Sequence, residues 1–156
     1  MTNIQSLVDG ERMTEEVTTF DESLQQLAKT LVTTLHRTDG VGLSAPQIGR
    51  NERIAVIDFQ DDRDPLVLVN PTLLKYYGKS VEMEGCLSYP GIYGEVERPE
   101  VIRIEAEDEY GKTFEITAEG FEARAILHEM DHLYGISFTQ KIKTRVDAET
   151  FEEEEE

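Results

Sequence analysis

Residues 120–134, G-F-E-A-R-A-I-L-H-E-M-D-H-L-Y, have the pattern of a helix that must be buried. At about 100° per residue, one face carries two histidines beside two apolar residues: Phe121, Ala125, His128 and His132. The opposite side is entirely apolar, with Ala123, Ile126, Leu127, Met130 and Leu133. A helix that is apolar on nearly every side packs inside a core, so the fold has to be built around this segment.

The two histidines of this helix lie four residues apart, and a glutamate directly follows the first. Because residues at i and i+4 share a helix face, His128 and His132 can bind one divalent cation, and Glu129 can reach a water bound to it. A His-x-x-x-His pair also arises by chance, so two satisfied core or surface histidines are the alternative. Burial favours the metal, since buried polar groups need partners.

Cys86 is the only cysteine, so an intramolecular disulfide is impossible. It is a buried thiol, a reactive thiol or a metal ligand, and it suits a reducing compartment. Thiolates bind Zn²⁺ and Fe²⁺ well, and Cys86 with the two histidines would leave a position open for water, as in catalytic sites. An acidic side chain after Gly135 is the alternative third ligand.

The segments before this helix predict one further helix and several strands. Residues 1–19 are mixed and polar and predict an irregular segment. Asp21 is a candidate N-cap for a helix that ends at Asp39-Gly40 and has one apolar stripe. The stripe consists of Leu24, Leu27, Ala28, Leu31 and Leu35. His36, near the end of that helix, is expected to lie on the surface.

Residues 40–49 contain three glycines and a proline, which excludes a regular helix or a central strand. Glycines there let a backbone approach a ligand closely. Runs rich in branched and aromatic residues then predict strands at 53–59, 66–70, 72–77, 101–107 and 113–118. The last two runs flank E-Y-G-K, a predicted hairpin. The helix at 120–134 is expected to close the ordered domain.

Length and charge restrict the class of protein. The 156 residues suit a single domain, predicted as a catalytic domain over residues 1–150 with a disordered acidic tail at 151–156. The chain has 33 Asp and Glu against 15 Lys and Arg, a net charge of −18. This net charge argues against a nucleic-acid groove or an anionic membrane surface as partner. No signal peptide or segment of membrane-spanning length is visible, so a cytoplasmic location is expected.

Three segments resemble the signature motifs of the peptide deformylases, in the same order and at similar separations: G-V-G-L-S-A-P-Q at 40–47, E-G-C-L-S at 84–88 and H-E-M-D-H at 128–132. V-E-R-P-E-V-I-R-I at 96–104 also resembles the family's connecting strand. The resemblance implies an α+β fold in which mixed or antiparallel strands surround a central HExxH helix. It also implies a metal-dependent hydrolase that removes the N-formyl group from the initiator methionine of nascent chains and releases formate.

The resemblance further implies the role of each site residue. Cys86, His128 and His132 would bind one divalent ion, Fe²⁺ in the cell and Zn²⁺ or Ni²⁺ as isolated. Glu129 would act as general base and then acid on a metal-bound water. The Gln47 side chain and the Leu87 backbone N–H would be the oxyanion donors, and Glu84 with Arg98 a structural ion pair. The implied substrate-binding residues are Val41, Gly42, Gly85, Phe121, Arg124 through its aliphatic stem, and Ala125.

The chain departs from the family pattern in three places. Leu127 stands where Gln is common, which removes a hydrogen bond near the metal. Arg124 lies on a wall that is often apolar. The chain ends in E-E-E-E-E instead of a basic C-terminal helix, as in short members carried by phages and other viruses.

The expected partners follow from the same resemblance. They are N-formyl-methionyl peptides and nascent chains, near the ribosome exit region but without a basic docking helix. Neither nucleic acid nor a membrane is expected to bind directly. The protein is expected to be a monomer in the cytoplasm of a bacterium or of a bacterial host.

Two other functions remain open at this point. A zincin-type peptidase or an amidase using the same helix would cleave unformylated peptides and would be indifferent to replacement of Cys86. A non-catalytic domain with a structural metal or none would have no need of Glu129 or Gln47.

Overall fold

The structure is a computed structural model that describes residues 2–7 and 11–147. The predicted acidic tail at 151–156 lies outside these residues. In chain order the described elements are α1 (Glu22–Leu35), β1 (Gly42–Ser44), a 3₁₀ turn (Ala45–Ile48), β2 (Ile54–Ile57), β3 (Leu66–Tyr77), β4 (Ser80–Cys86), β5 (Tyr89–Arg98), β6 (Val101–Glu107), β7 (Thr113–Glu119), α2 (Gly120–Leu133), a second 3₁₀ turn (Phe138–Gln140) and β8 (Ile142–Asp147).

The strands form two antiparallel sheets. One has five strands in the order β1-β2-β3-β6-β7, and the other has three in the order β4-β5-β8. The α2 helix packs on the five-stranded sheet through its apolar side, where Ala123, Ile126 and Met130 join the buried residues of the sheet. Its other side is directed toward Cys86 and Glu84 of the three-stranded sheet. The predicted α+β fold around a central HExxH helix is therefore confirmed.

The first helix matches its prediction closely. The Leu24 N–H donates a 3.1 Å hydrogen bond to the Asp21 carboxylate, which confirms Asp21 as the N-cap. All five residues of the predicted stripe are buried, in one cluster with residues of β1 and β2. The helix ends at Leu35, slightly earlier than predicted. The His36 ring is half-exposed, and its Nε2 lies 2.6 Å from the Asp58 carboxylate.

The prediction of separate strands at 66–70 and 72–77 was wrong, because β3 runs through both. Asn70 has a positive φ of 50°, and the register with β6 shifts between Val69 and Thr72. The Asn70 side chain accepts a hydrogen bond from the Val17 N–H at 2.9 Å and donates one to the Val17 C=O at 2.8 Å. These two bonds stabilise the irregular backbone at Asn70 within one continuous strand. In the sequence, the only sign of this irregularity is that a proline follows Asn70.

The expectation that α2 closes the ordered domain was also wrong. After Gly135 the chain forms a 3₁₀ turn and β8, which pairs with β5. Phe138 is 1% exposed and packs with Tyr89 and Val96, with Ile142 beside them. The segment after α2 therefore contributes a third cluster to the core, because the three-stranded sheet has its own apolar face to bury.

The glycine-rich segment at 40–49 has only short elements, as predicted. Gly42–Ser44 forms an edge strand of three residues, and Ala45–Ile48 forms one 3₁₀ turn around Pro46. The Asp58 N–H donates to the Val41 C=O at 2.7 Å. Because neighbouring residues of a strand direct their peptide groups to opposite sides, the peptide groups of Gly42 face the open edge of the sheet.

Candidate metal centre

Three predicted metal ligands converge at the boundary between α2 and the three-stranded sheet. Cys86 is the last residue of β4, and His128 and His132 lie one turn apart on α2. One ligand atom of each residue lies within 4.8 Å of the others. The Cys86 Sγ is 3.3 Å from the His132 Nε2. The acidic side chains that follow Gly135, the alternative source of a third ligand, lie outside the part of the chain whose side chains are described. The described part of the chain supplies one sulfur and two imidazoles to this group.

Each histidine is held through its other ring nitrogen by a carboxylate. The His128 Nδ1 is 3.0 Å from the Glu84 Oε1, and the His132 Nδ1 is 2.5 Å from the Glu11 Oε1. A carboxylate at Nδ1 fixes the tautomer and leaves the Nε2 lone pair for a cation. The sequence had indicated Glu84 only as the partner of Arg98. It gave no sign of Glu11, which lies in a segment predicted to be irregular.

Glu84 is the centre of a buried ionic network. Its carboxylate accepts bonds of 2.6 and 2.9 Å from Arg98, which confirms the predicted ion pair. Arg124 donates a further bond of 2.5 Å. Burial raises the pKa of Glu84, but Arg98 and His128 outweigh it and bring the pKa to about 2. Glu84 therefore stays ionised and holds His128 while β4 keeps Cys86 in place.

The Arg124 guanidinium is bonded to other groups of the protein. Besides Glu84, it donates to the Val96 C=O at 2.9 Å and to the Ser80 C=O at 3.0 Å. Arg124 is buried, and it also lines a cleft over the site. Its positive charge is thus paired within the protein.

The three ligand residues shift one another's pKa values in opposite directions. Burial raises the pKa of the Cys86 thiol, but hydrogen bonds from His128 and His132 lower it below the ordinary value. Burial lowers the pKa of His128, but bonds to Cys86 and Glu84 raise it to about 9. The pKa of His132 is also raised, by Cys86 and Glu11 against the effect of burial. A cation bound here would take the place of the protons on the ligand atoms, so its binding would release protons.

Glu129 lies next to the ligands without belonging to them. It is 5% exposed, and its Oε1 is the one buried side-chain oxygen or nitrogen of the described residues without a hydrogen-bond partner. Burial raises its pKa above the ordinary value. An unpaired buried carboxylate oxygen is costly unless a ligand completes it. The unpartnered Glu129 oxygen, together with the sulfur and imidazole donors, fits a site for a divalent cation and a water molecule.

Gln47 reaches the site from the 3₁₀ turn and is 1% exposed. Its Oε1 accepts the Ser44 N–H at 3.0 Å, which fixes the direction of the amide. Its Nε2 then points toward the site, 3.2 Å from the Ser88 Oγ and 3.7 Å from the Cys86 Sγ. The amide N–H groups therefore lie beside the ligands, at the position for which the resemblance implies an oxyanion donor.

A cleft of about 530 Å³ opens over these residues. This volume lies within the usual range for small-ligand sites. Phe121 is 63% exposed at its rim and packs edge-on against Phe59, with 6.3 Å between ring centroids. The cleft is lined by Glu129 and by the two predicted oxyanion donors, Gln47 and Leu87. It is also lined by all the predicted substrate-binding residues: Val41, Gly42, Gly85, Phe121, Arg124 and Ala125.

The chain is similar to known proteins over most of its length. The model of the polypeptide deformylase family matches residues 11–148. Peptide deformylase 1 of Bacillus cereus is 49% identical over 128 residues, which are 82% of this chain and 82% of that protein. The crystal structure of a peptide deformylase from Legionella pneumophila superposes with a TM-score of 0.87 and 41% identity, covering 92% of this chain and 86% of that one.

A second solved structure has the same fold. A peptide deformylase from Synechococcus elongatus, crystallised in complex with actinonin, has a TM-score of 0.86 and 37% identity, and the match covers 92% of this chain and 79% of that one. The family match and these relatives extend over nearly the whole described chain. The chain belongs to the peptide deformylase family.

Proposed function

We propose that this chain removes the formyl group from N-formyl-methionyl peptides by using the site formed by Cys86, His128 and His132. The observation that carries the proposal is the buried Glu129 carboxylate, which has an unpartnered oxygen beside three convergent ligand atoms. A structural metal site is closed by its ligands and needs no such group. Hydrolysis of a formamide needs a base that accepts one proton and then returns it.

The reaction breaks the formyl C–N bond and forms a C–O bond with water. A bound divalent cation supplies Lewis acidity and lowers the pKa of water at the site. Glu129 accepts the proton of the attacking water and donates it to the leaving amine. The Gln47 amide and the Leu87 backbone N–H donate to the formyl oxygen while negative charge develops there. Formate and a free methionyl amine result.

The substrate backbone pairs with the open edge of β1. The Val41 C=O already accepts from Asp58, so the Gly42 peptide groups are the ones that face a bound chain. The methionine side chain lies in the cleft beside Phe121, Ala125 and the stem of Arg124. Addition of an extended peptide to a sheet edge gives main-chain hydrogen bonds irrespective of sequence, which suits an enzyme that accepts many nascent chains.

We assign Fe²⁺ as the cation in the cell, with Zn²⁺ or Ni²⁺ as substitutes on isolation, because thiolate and imidazole ligands accept all three. The protein acts as a single catalytic domain and a monomer on nascent chains in the cytoplasm of a bacterium or a bacterial host. A basic surface for docking at the ribosome is not expected at a net charge of −18. None of the described helices is long and apolar enough to cross a membrane.

The direct test is release of formate from N-formyl-Met-Ala-Ser under anaerobic conditions, with metal content determined on the same sample. We expect formate release that stops when a chelator removes the metal. Cleavage of the unformylated peptide instead would favour a zincin-type peptidase. Absence of both activities in a metal-loaded sample would contradict the proposed reaction.

Replacing Gln47 with Ala is expected to lower kcat by about 10²–10³-fold, the usual effect of losing one oxyanion donor. The N–H group that faces the site is lost, but the ligands are unchanged. The measurement is kcat for N-formyl-Met-Ala-Ser with metal content determined in parallel. Gln26→Ala, on the exposed face of α1, is the control. A Gln47→Ala enzyme with unchanged kcat would remove this residue from the oxyanion site.

Replacing Gly42 with Ala is expected to lower kcat by about 10²-fold, the size of effect that a misplacement of about 1 Å produces. A Cβ at residue 42 would lie 2.7 Å from the Glu129 Cγ and 2.8 Å from its Oε2, so the carboxylate has to move. Gly40→Ala is the matched control, because the nearest atom to its Cβ would be the Leu87 Cδ1 at 3.2 Å, the tip of a flexible side chain, followed by the Thr38 Oγ1 at 3.4 Å. Equal kcat values in the two variants would show that the position of Glu129 does not depend on Gly42.

A further inference from the structure

Glu11 makes the longest-range contact of the metal centre. Its side chain is 2% exposed, and its Oε1 lies 2.5 Å from the Nδ1 of His132, which is 121 positions later in the chain. Its Oε2 accepts a 2.6 Å hydrogen bond from the Tyr89 hydroxyl. A carboxylate so deeply buried is stable only where donors satisfy it, and here each oxygen has one.

The N-terminal arm, residues 11–19, is fixed against the end of α2. The Thr14 N–H and hydroxyl both donate to the Leu133 C=O, at 3.0 and 2.7 Å. Arg53 donates to the Thr14 C=O at 2.6 Å. Gly135 has a φ of 76°, and a Cβ there would lie 2.8 Å from the Met13 N. The backbone at residues 13–14 therefore packs closely against the backbone at residues 133–135. This packing restricts the positions that the Glu11 side chain can occupy.

The contact determines which nitrogen of His132 is available. An ionised carboxylate only accepts hydrogen bonds, so a neutral His132 carries its proton on Nδ1 and presents the Nε2 lone pair. That Nε2 faces the Cys86 Sγ at 3.3 Å. Glu84 does the same for His128 from the opposite side of the site. Carboxylates in this position raise the basicity of the ligand and fix its ring orientation.

We propose that Glu11 is a positioning residue of the metal centre, through which the N-terminal arm orients His132 and sets the affinity for the cation. The proposal rests on the ligand set given above. Two carboxylates from distant parts of the chain then hold the two histidines, and Tyr89 in turn holds Glu11. The arm is therefore a part of the site, although none of its residues lines the cleft.

The test compares Glu11→Gln with wild type by competition for Co²⁺ or Zn²⁺ against a chromogenic chelator. We expect the dissociation constant for the metal to rise about 10–100-fold, which is the usual cost of losing such a partner. We also expect a changed Co²⁺ absorption spectrum. Glu16→Gln, which alters an exposed carboxylate of the same arm, should match wild type. His132→Ala is the reference for loss of a ligand.

A merely structural role for Glu11 predicts a different result. In that case Glu11→Gln lowers the melting temperature of the metal-free and metal-loaded proteins equally and leaves the dissociation constant and the Co²⁺ spectrum unchanged, which would overturn the proposal. If His132→Ala keeps its metal, the ligand set fails instead. Should Glu11→Gln not fold, Glu11→Asp withdraws the carboxylate by one methylene, and wild-type affinity in that variant would equally overturn the proposal.

Discussion

We expect the Glu129→Gln substitution to lower kcat by about 10²–10⁴-fold, the usual contribution of a general acid–base group. The variant should retain its metal. The side chain is buried beside the ligands, but its Oε1 has no partner among the described residues. Glutamine keeps the size of the side chain and removes the group that accepts a proton. The measurement pairs kcat for formate release from N-formyl-Met-Ala-Ser with metal content on the same preparation.

Glu122→Gln is the matched control for this experiment. Glu122 lies on the same helix, but its side chain is 41% exposed and pairs with Arg63 at the surface. That variant should keep wild-type kcat and metal content. Loss of metal in Glu129→Gln would mean that Glu129 is itself a ligand. Retention of wild-type kcat would mean that another group moves the proton.

The parts of the site that the sequence predicted depend on local spacing. His128, Glu129 and His132 lie within one turn of a helix whose period is fixed, so their common location follows from their order alone. Cys86 was the only cysteine available to join them. Gln47 and Glu84 were found only through resemblance to a family, because nothing in their own neighbourhood indicates what they face.

The parts that the sequence did not predict depend on contacts between distant segments. Glu11 lies in a polar segment with no periodicity, and its role arises from a contact with His132 over 121 positions. Tyr89 is one of six tyrosines, and only the fold places its hydroxyl on Glu11. The irregularity of β3 at Asn70 likewise depends on two hydrogen bonds with Val17. Such pairings leave no periodic pattern in either segment.

The resemblance also placed Arg124 on the substrate wall without indicating its charge partner. The structure shows that its guanidinium shares Glu84 with Arg98, and that Arg98 also pairs with Asp131 at 2.9 Å. Buried charges of this kind are tolerated when each is paired. The network joins β4, β5 and α2, the elements that carry the ligands and their partners. The charge of Arg124 is thus paired within the network around Glu84, although the residue lines the cleft.

Replacing Cys86 with Ala is expected to weaken metal binding by about 10²-fold or more. Structural zinc sites have apparent binding free energies of about 10–16 kcal/mol shared among four ligands, so one ligand contributes roughly 3 kcal/mol. Cys86 is the only cysteine of the chain, and its Sγ lies 3.3 Å from the His132 Nε2. The measurement is chelator competition with Zn²⁺ or Co²⁺, and the absorption band of Co²⁺–thiolate should disappear with the sulfur.

Val81→Ala is the control for this strand, because Val81 lies on β4 and is 42% exposed. It should bind metal like wild type. The single thiol gives an independent readout, since a thiol reagent reports only on Cys86 and should react more slowly after metal loading. If Cys86→Ala kept both its metal affinity and its deformylase activity, Cys86 would be an ordinary buried thiol and the two histidines would need another third ligand. If it bound metal weakly while Glu129→Gln bound metal normally, the two residues would hold separate roles, one in retaining the cation and the other in moving the proton.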